Sequence, residues 1–195
     1  LGSLAACHML KDMGHDPIFQ MTCRDRNRLA LQSDLLSAYA LGIRNVLSLT
    51  GDHTTTGDHP QAKPVYDLDS VSLLYTMSKL EEGLDLVDNP LKGKPSFFKG
   101  AVVNPGADTD ASLNLQLMKM QKKIDAGAQF FQTQAVFDER VMEKFAIKIE
   151  KLGIKVPVMA GVILLKSEKM ANYMNKNVPG IFVPKNIIDR MAATT

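Results

Sequence analysis

Apolar positions along the chain follow two patterns, one typical of buried strands and one typical of amphipathic helices. Short runs rich in β-branched and aromatic residues predict strands at 17–21, 46–49, 99–103, 130–133 and 156–160. Between these runs the apolar residues follow a helical period, which predicts helices at 1–13, 26–41, 69–80, 112–126, 139–152, 167–174 and 186–191. Consecutive strands joined by helices run parallel, so the pattern predicts an α/β fold.

The spacing of the predicted strands matches repeated βα units. Three of the four intervals between strand starts are about 27 to 31 residues, the length of one unit. The remaining, longer interval is explained by two long loops around one helix. Five parallel strands fit either an open doubly wound sheet or part of an eight-stranded barrel. No GxGxxG or GxxxxGK[ST] motif follows a strand, and a helix precedes the first strand, which hints at a barrel without its opening segment.

Composition narrows the classes of function. The chain has 195 residues, of which 45% are hydrophobic and 23% are charged. This length and composition predict one soluble domain. A net charge of +2 gives no reason to expect nucleic acid or an anionic membrane as a partner. Two cysteines and four histidines form no disulfide framework and no spaced ligand pair. We therefore expect a cytoplasmic protein with free thiols and no metal site.

Polar residues follow the predicted strands, at the positions from which a β/α barrel builds its ligand site. Asp52 ends the second strand, and no predicted helix follows at once that would need a cap, so a functional role is favoured. Asp25 and Asp138 each precede a predicted helix and are interpreted as N-caps. Gln134 follows the apolar pair 130–131, and its neutral amide can hydrogen-bond the edge of a heterocycle.

The candidate residues fit chemistry carried out by a bound cofactor better than catalysis by a nucleophilic side chain of the protein. No arrangement of serine or cysteine with histidine supports nucleophilic catalysis. One carboxylate with amides, hydroxyls and aromatic surface suits a cofactor, which reacts while the protein positions and tunes it. The Lys122-Lys123 pair near a helix end fits either a solvated face or a contact to an anionic cofactor group.

Three segments read together resemble the methylenetetrahydrofolate reductase family, flavin-dependent barrel enzymes of one-carbon metabolism. They are MTCRDRNR at 21–28, GIRNVLSLTGD at 42–52 and KIDAGAQFFQTQAVFD at 123–138. VPVMAGV at 156–162 and Val183-Pro184 follow in the expected order. Each piece is weak by itself, and the specificity of the resemblance lies in the shared order over nearly the whole chain.

The resemblance implies a (β/α)8 TIM barrel that holds a flavin at the carboxyl ends of its strands. It implies hydride transfer from reduced flavin to 5,10-methylenetetrahydrofolate, giving the 5-methyltetrahydrofolate used in methionine biosynthesis. Asp52 matches a carboxylate that tunes flavin and folate electrostatically, while Gln134 and Phe137 match folate-contacting positions. The positions implied to contact the flavin are Gln20, Thr22, Leu49, Thr50, Gly51, Asp52, Tyr66, Asn104 and Lys123.

The chain also departs from the family pattern. The family's general acid is a glutamate on the first barrel strand, which has no counterpart here, and the closing strand after Met191 is absent. We therefore expect residues 1–195 to be a single, partial barrel domain of five to six βα units. The loop at 104–107 lacks the aromatic residue and histidine of many relatives, which leaves FAD or FMN open.

Three further expectations concern partners and alternatives. The motif variants at 24–27 and 104–107 favour members that take electrons from a partner subunit over those that use NAD(P)H directly, and we expect an oligomer. A second hypothesis is a catalytically silent barrel subunit that binds flavin or folate within a larger complex. A third is a pterin-binding methyltransferase barrel, which would bind methyltetrahydrofolate without flavin.

Overall fold

A computed structural model describes residues 1–106, 109–178 and 180–193. Its strands are β1 (Ile18–Thr22), β2 (Asn45–Leu49), β3 (Phe98–Val103), β4 (Phe130–Ala135) and β5 (Val158–Gly161). Its α-helices are α1 (Ser3–Asp12), α2 (Arg28–Ala40), α3 (Ser70–Glu82), α4 (Asp110–Asp125), α5 (Glu139–Lys151), α6 (Glu168–Asn177) and α7 (Lys185–Ala192). A short 3-10 helix spans Thr54–Thr56.

The strands form a parallel sheet in the order β1-β2-β3-β4-β5. Strand order therefore follows chain order, as successive βα units of a barrel require. A doubly wound sheet would instead reverse direction at a switch point. The α/β prediction is confirmed, and the open sheet is consistent with part of a β/α barrel.

The helices and strands lie within three residues of their predicted bounds. The predicted cap at Asp25 is wrong: α2 begins later, and the side chain of Asn27 accepts hydrogen bonds from the amides of Leu29 and Ala30. The predicted cap at Asp138 is confirmed, because its carboxylate accepts from the amide of Arg140 at 3.0 Å.

The chain divides into two compact units. The first comprises Leu1–Ala101 and Lys122–Phe130, and the second comprises Val102–Gln121 and the described residues from Phe131 onward. In the first unit, strands and helices bury large apolar side chains, among them Phe19, Met21, Leu31, Leu35, Val46, Leu73, Leu74 and Met77. In the second, the buried side chains include Leu113, Leu117, Phe131, Phe145 and Val183.

The two faces of the first unit's strands differ in what covers them. Ser48 is buried and donates its hydroxyl to the carbonyl of Ser70, the first residue of α3, so its face of the sheet packs on helices. Met21 is the register partner of Ser48 and shares that face. Side chains alternate along a strand, so neighbouring positions point to the opposite face.

Candidate functional site

The face of the first unit's sheet that lies away from the helices carries an exposed amide. Gln20 is exposed between two buried neighbours of β1, and its register partners on β2 and β3 are Leu47 and Gly100. At the amino ends of the strands this face is closed by stacked rings, since Phe98 and Phe130 have centroids 5.0 Å apart. Toward the carboxyl ends the register partners Thr22 and Leu49 continue this face.

Gly100 is required beneath this aromatic pair. A Cβ at Gly100 would lie 2.2 Å from a ring atom of Phe130, which no rotamer change of a fully packed ring would relieve cheaply. The contact explains a glycine in the interior of a buried strand, where it otherwise weakens the sheet.

The end of β2 carries the candidate carboxylate. Gly51 has a φ of +90°, and a Cβ there would lie 3.0 Å from the Cβ of Arg24, so the turn needs glycine. Thr50 ties this turn to α3, because its hydroxyl oxygen accepts from the amide of Ser70 at 3.1 Å. Asp52 is exposed, and its carboxylate makes no hydrogen bond or ion pair with any residue that the structure describes.

The main chain around Asp52 is held by two side chains. The hydroxyl of Tyr66 donates to the carbonyl of Gly51 at 3.1 Å. Nη1 of Arg24 donates to the carbonyl of Asp52 at 3.3 Å. The other guanidinium nitrogens of Arg24 donate to both carboxylate oxygens of Asp25 at 2.8 and 2.9 Å, and this contact holds the pKa of Asp25 below its usual value.

A second ion pair anchors the chain on its return from the loop after Asp52. Asp67 accepts from the amide, Nε and Nη2 of Arg28 at 2.8, 2.9 and 2.8 Å. These hydrogen bonds lower the pKa of Asp67 to about 2. The sequence placed Arg24 at a strand end, but sequence reasoning missed its contact to the Asp52 turn and the pairing of Arg28 with Asp67. The alternation of arginine with aspartate at 24–28 was visible in the chain.

The described residues next to this turn have structural roles, and none of them is placed as a reactive group. The ring of His53 accepts from the amide of Thr55 and caps the short 3-10 helix. The hydroxyl of Thr54 is buried and has no hydrogen-bond partner among the described residues. Cys23 is buried, which raises the pKa of its thiol to about 12 and leaves it protonated near neutral pH. No cluster of three metal-ligating side chains occurs in the described ranges.

The other positions that the resemblance links to flavin do not all lie at the same end of the strands. Thr22 and Leu49 are register partners at the ends of β1 and β2, directly before the Asp52 turn. Lys123 lies in the last turn of α4, and its carbonyl accepts from the amide of Ala128 just before β4 begins. The structure therefore places Lys123 at the amino ends of the strands, opposite to Asp52.

In the second unit, polar side chains at two strand ends make hydrogen bonds to nearby main chain. The side chain of Asn104 accepts from the amide of Gly106 at 2.9 Å and donates to the carbonyl of Gly180 at 3.5 Å. The Thr133 hydroxyl accepts from the amide of Gly161 at 2.8 Å and donates to the carbonyl of Gln134. The Gln134 side chain is exposed. Ala107, the last residue of the loop considered in the sequence, lies outside the described residues.

A cavity of about 330 Å³ opens beside the start of α5 in the second unit. Phe137 lines it, while Gln134 does not. Its two cationic side chains are engaged in ion pairs, Arg140 with Asp138 and Lys144 with Asp110, both at 2.8 Å. The remaining lining residues are Pro105, Gly106, Leu113, Ala135, Val136, Val141, Gly180 and Phe182.

None of the described helices combines the length and the apolar character that a bilayer crossing requires.

Comparison with known proteins gives a consistent result. The family model described as methylenetetrahydrofolate reductase matches residues 2–195. The chain is 26% identical over 189 residues to a probable methylenetetrahydrofolate reductase (NADPH) of Caenorhabditis elegans, covering 96% of this chain and 26% of that protein. It is 28% identical over 163 residues to the 5,10-methylenetetrahydrofolate reductase of Pectobacterium carotovorum subsp. carotovorum, covering 82% of this chain and 48% of that protein.

The chain thus spans about half or less of the length of these curated relatives. Among solved structures, an uncharacterized protein from Clostridium thermocellum that binds two copies of 5-methyl-5,6,7,8-tetrahydrofolic acid superposes with a TM-score of 0.57. The two chains are 16% identical, and the match covers 95% of this chain and 56% of the other. At that identity the likeness establishes the shared fold.

Proposed function

Because the chain belongs to the methylenetetrahydrofolate reductase family, we propose that it acts in the reduction of 5,10-methylenetetrahydrofolate to 5-methyltetrahydrofolate. The observation that carries the proposal is Asp52, an exposed carboxylate at the carboxyl end of a parallel strand, on a main chain held by two side chains. Curated relatives that bear the reductase name support the reaction class.

A flavin suits the groups that the first unit presents. Gln20 offers an exposed amide that can hydrogen-bond the polar edge of an isoalloxazine ring. Gly51 lacks the side chain that would crowd Arg24, so the chain can turn sharply at the end of β2 and present Asp52 there. When bound, the flavin would supply the hydride that reduces the methylene carbon of the folate. The same residues suit FAD and FMN equally.

Asp52 has an electrostatic role in this proposal. Positive charge develops on the folate as its five-membered ring opens, and a preorganised carboxylate stabilises such charge. The same negative charge disfavours an anionic reduced flavin. Asp52 is not the proposed proton donor, since a carboxylate that stabilises positive charge has to stay ionised.

The second unit contributes the folate contacts that we propose. Gln134 presents an exposed amide, which can pair with the donor and acceptor edge of a pterin. Phe137 lines the cavity beside α5 and offers apolar surface. The Clostridium thermocellum protein of the same fold binds methyltetrahydrofolate, which supports a folate as the ligand class.

The proposed electron source is either NAD(P)H or a partner subunit. Curated relatives carry names with NADPH and with NADH, which supports direct use of a nicotinamide donor. The variants of the 24–27 and 104–107 motifs favour the partner subunit. An activity assay therefore has to include both kinds of donor.

The test uses the whole gene product, purified with whatever it binds. We expect flavin bands in the visible spectrum and folate reduction with NADH, NADPH or an artificial low-potential donor that bypasses a partner. Brisk turnover with either nicotinamide would contradict the partner subunit. A colourless protein that binds methyltetrahydrofolate would favour the methyltransferase barrel, and bound flavin without turnover from any donor would favour the silent subunit.

A further inference from the structure

The chain returns to the Asp52 turn through a short stretch, residues 65–67, which we call the return segment. Its first residue, Val65, donates its amide to the carbonyl of Arg24 at 2.7 Å. Its last residue, Asp67, is bound by the amide and guanidinium of Arg28 through three hydrogen bonds. Between these two anchors the hydroxyl of Tyr66 reaches the carbonyl of Gly51.

Tyr66 is held in an unfavourable backbone conformation. Its φ is +44°, in the left-handed region that residues with a side chain rarely adopt. Such a conformation persists only where the surroundings determine it, and here the two anchors lie on the adjacent residues. The strained conformation places the phenol against the turn that carries Asp52.

Arg24 holds the next carbonyl of the turn. Two of its nitrogens are fixed by the carboxylate of Asp25, which leaves Nη1 to donate to the carbonyl of Asp52. Two successive carbonyls, those of Gly51 and Asp52, are therefore fixed by side chains, while the carboxylate of Asp52 stays open. Fixing these two carbonyls restricts the movement of the main chain from which the Asp52 carboxylate projects.

We propose that Tyr66 and Arg24 are positioning residues that hold the main chain of the turn and thereby set the position of the Asp52 carboxylate. The inference rests on the proposed function of Asp52, and it assigns Tyr66 a role through the main chain beyond the flavin contact that the resemblance implies. Preorganised charge acts only where its geometry is fixed, and displacing a positioned group by about 1 Å can cost about a hundredfold in rate.

The first test removes the Tyr66 hydroxyl and keeps the ring. Tyr66→Phe is expected to lower kcat for folate reduction about fivefold to tenfold, the effect of one hydrogen bond, with little change in KM. In an Asp52→Asn background the same change is expected to have no further effect, because it acts through the missing charge. Tyr75→Phe is the matched control, since Tyr75 is exposed on α3 away from the turn.

The second test changes the guanidinium. Arg24→Lys keeps the charge but loses the fork that reaches Asp25 and the Asp52 carbonyl together, so kcat is expected to fall by a similar factor. Arg44→Lys is its control, because Arg44 also donates to main-chain carbonyls, those of Tyr39 and Ile43, but before β2 begins.

A third measurement is independent of flavin and folate. In the flavin-free protein, ¹⁵N relaxation is expected to give order parameters near 0.85 for the amides at 51–53, and clearly lower values in Tyr66→Phe and Arg24→Lys. Unchanged order parameters, or effects on kcat that add fully to that of Asp52→Asn, would overturn the positioning role. A wild-type protein that binds no flavin and does not reduce folate would overturn the proposed function instead. The relaxation data would still decide whether Tyr66 and Arg24 hold the turn.

Discussion

Asp52 and Asp138 both lie just after strand ends, yet the structure uses them in opposite ways. Asp138 caps α5 through the amide of Arg140 and pairs with its guanidinium, which holds its pKa below the usual value. Asp52 caps nothing, and its carboxylate makes no hydrogen bond or ion pair in the described part of the chain, although it interacts electrostatically with Arg24. Its main chain is held by Arg24 and Tyr66. The difference originates in the connection after each strand.

The length of that connection decides whether a strand-end carboxylate is available to a ligand. After β4 the chain enters α5 within a few residues, so the helix takes up the carboxylate at once. After β2 a long loop intervenes before α3, and His53 caps the short helix within it. Because the loop after β2 caps its short helix with its own residue, the carboxylate at the strand end is not used as a cap.

The largest expected effect is the loss of activity on removing the charge of Asp52. Asp52→Asn is expected to slow folate reduction about a hundredfold, the typical effect of removing one preorganised electrostatic group. Asp58→Asn, an exposed aspartate of the same loop, is the control and should retain wild-type activity. Equal losses of steady-state activity in both variants would contradict the role assigned to Asp52.

The next effect concerns the glycine that allows the Asp52 turn. Gly51→Ala places a Cβ 3.0 Å from Arg24 at a φ of +90°, so both strain and crowding are expected, with a destabilisation of about 1–3 kcal/mol. The change in the free energy of unfolding is measured by chemical denaturation. Gly153→Ala has a positive φ but no atom within 4 Å of the added Cβ, and should show the strain alone.

A smaller effect is expected at the other strand end. Asp138→Ala removes the N-cap of α5 and an ion pair, so the melting temperature should fall by a few degrees while the bound flavin spectrum stays unchanged. Calorimetry and absorbance test this together. A changed flavin spectrum with an unchanged melting temperature would reverse the roles assigned to the two aspartates.

The smallest effect is a pH dependence at the return segment. The pKa of Asp67 in the folded protein is about 2, below its value in the unfolded chain, because Arg28 hydrogen-bonds the ionised form. Its stabilising contribution is therefore complete above pH ~4 and is lost as the pH falls toward ~2. Melting curves of the wild type and Asp67→Asn should converge over this window. Parallel curves throughout would show that the ion pair does not stabilise the fold.

The sequence predicted the fold well because apolar periodicity determines where helices and strands lie. The prediction failed at Asp25, because its carboxylate can either cap the helix or pair with a neighbouring arginine. Asp25 is bound by Arg24, and the helix begins at Arg28, two residues later than predicted, with Asn27 as its cap. Local propensity cannot resolve this competition, because both residues are good caps.

The candidate site was only partly predictable. Asp52 could be found because a polar residue at a strand end is a local signal. The contacts of its neighbours could not, since Arg24 and Asp52 lie 28 positions apart and Arg28 and Asp67 lie 39 apart. Such contacts depend on the path of the intervening loop. The placement of Lys123 at the amino ends of the strands likewise required the three-dimensional structure.

The most direct test of the central claim is the midpoint potential of the bound flavin in Asp52→Asn and Asp138→Asn. We predict a higher potential in Asp52→Asn, because removing an open negative charge favours the anionic reduced flavin, and an unchanged potential in Asp138→Asn. Equal potentials in the wild type and both variants, or a shift confined to Asp138→Asn, would contradict the assignment of Asp52 as the residue that tunes the cofactor.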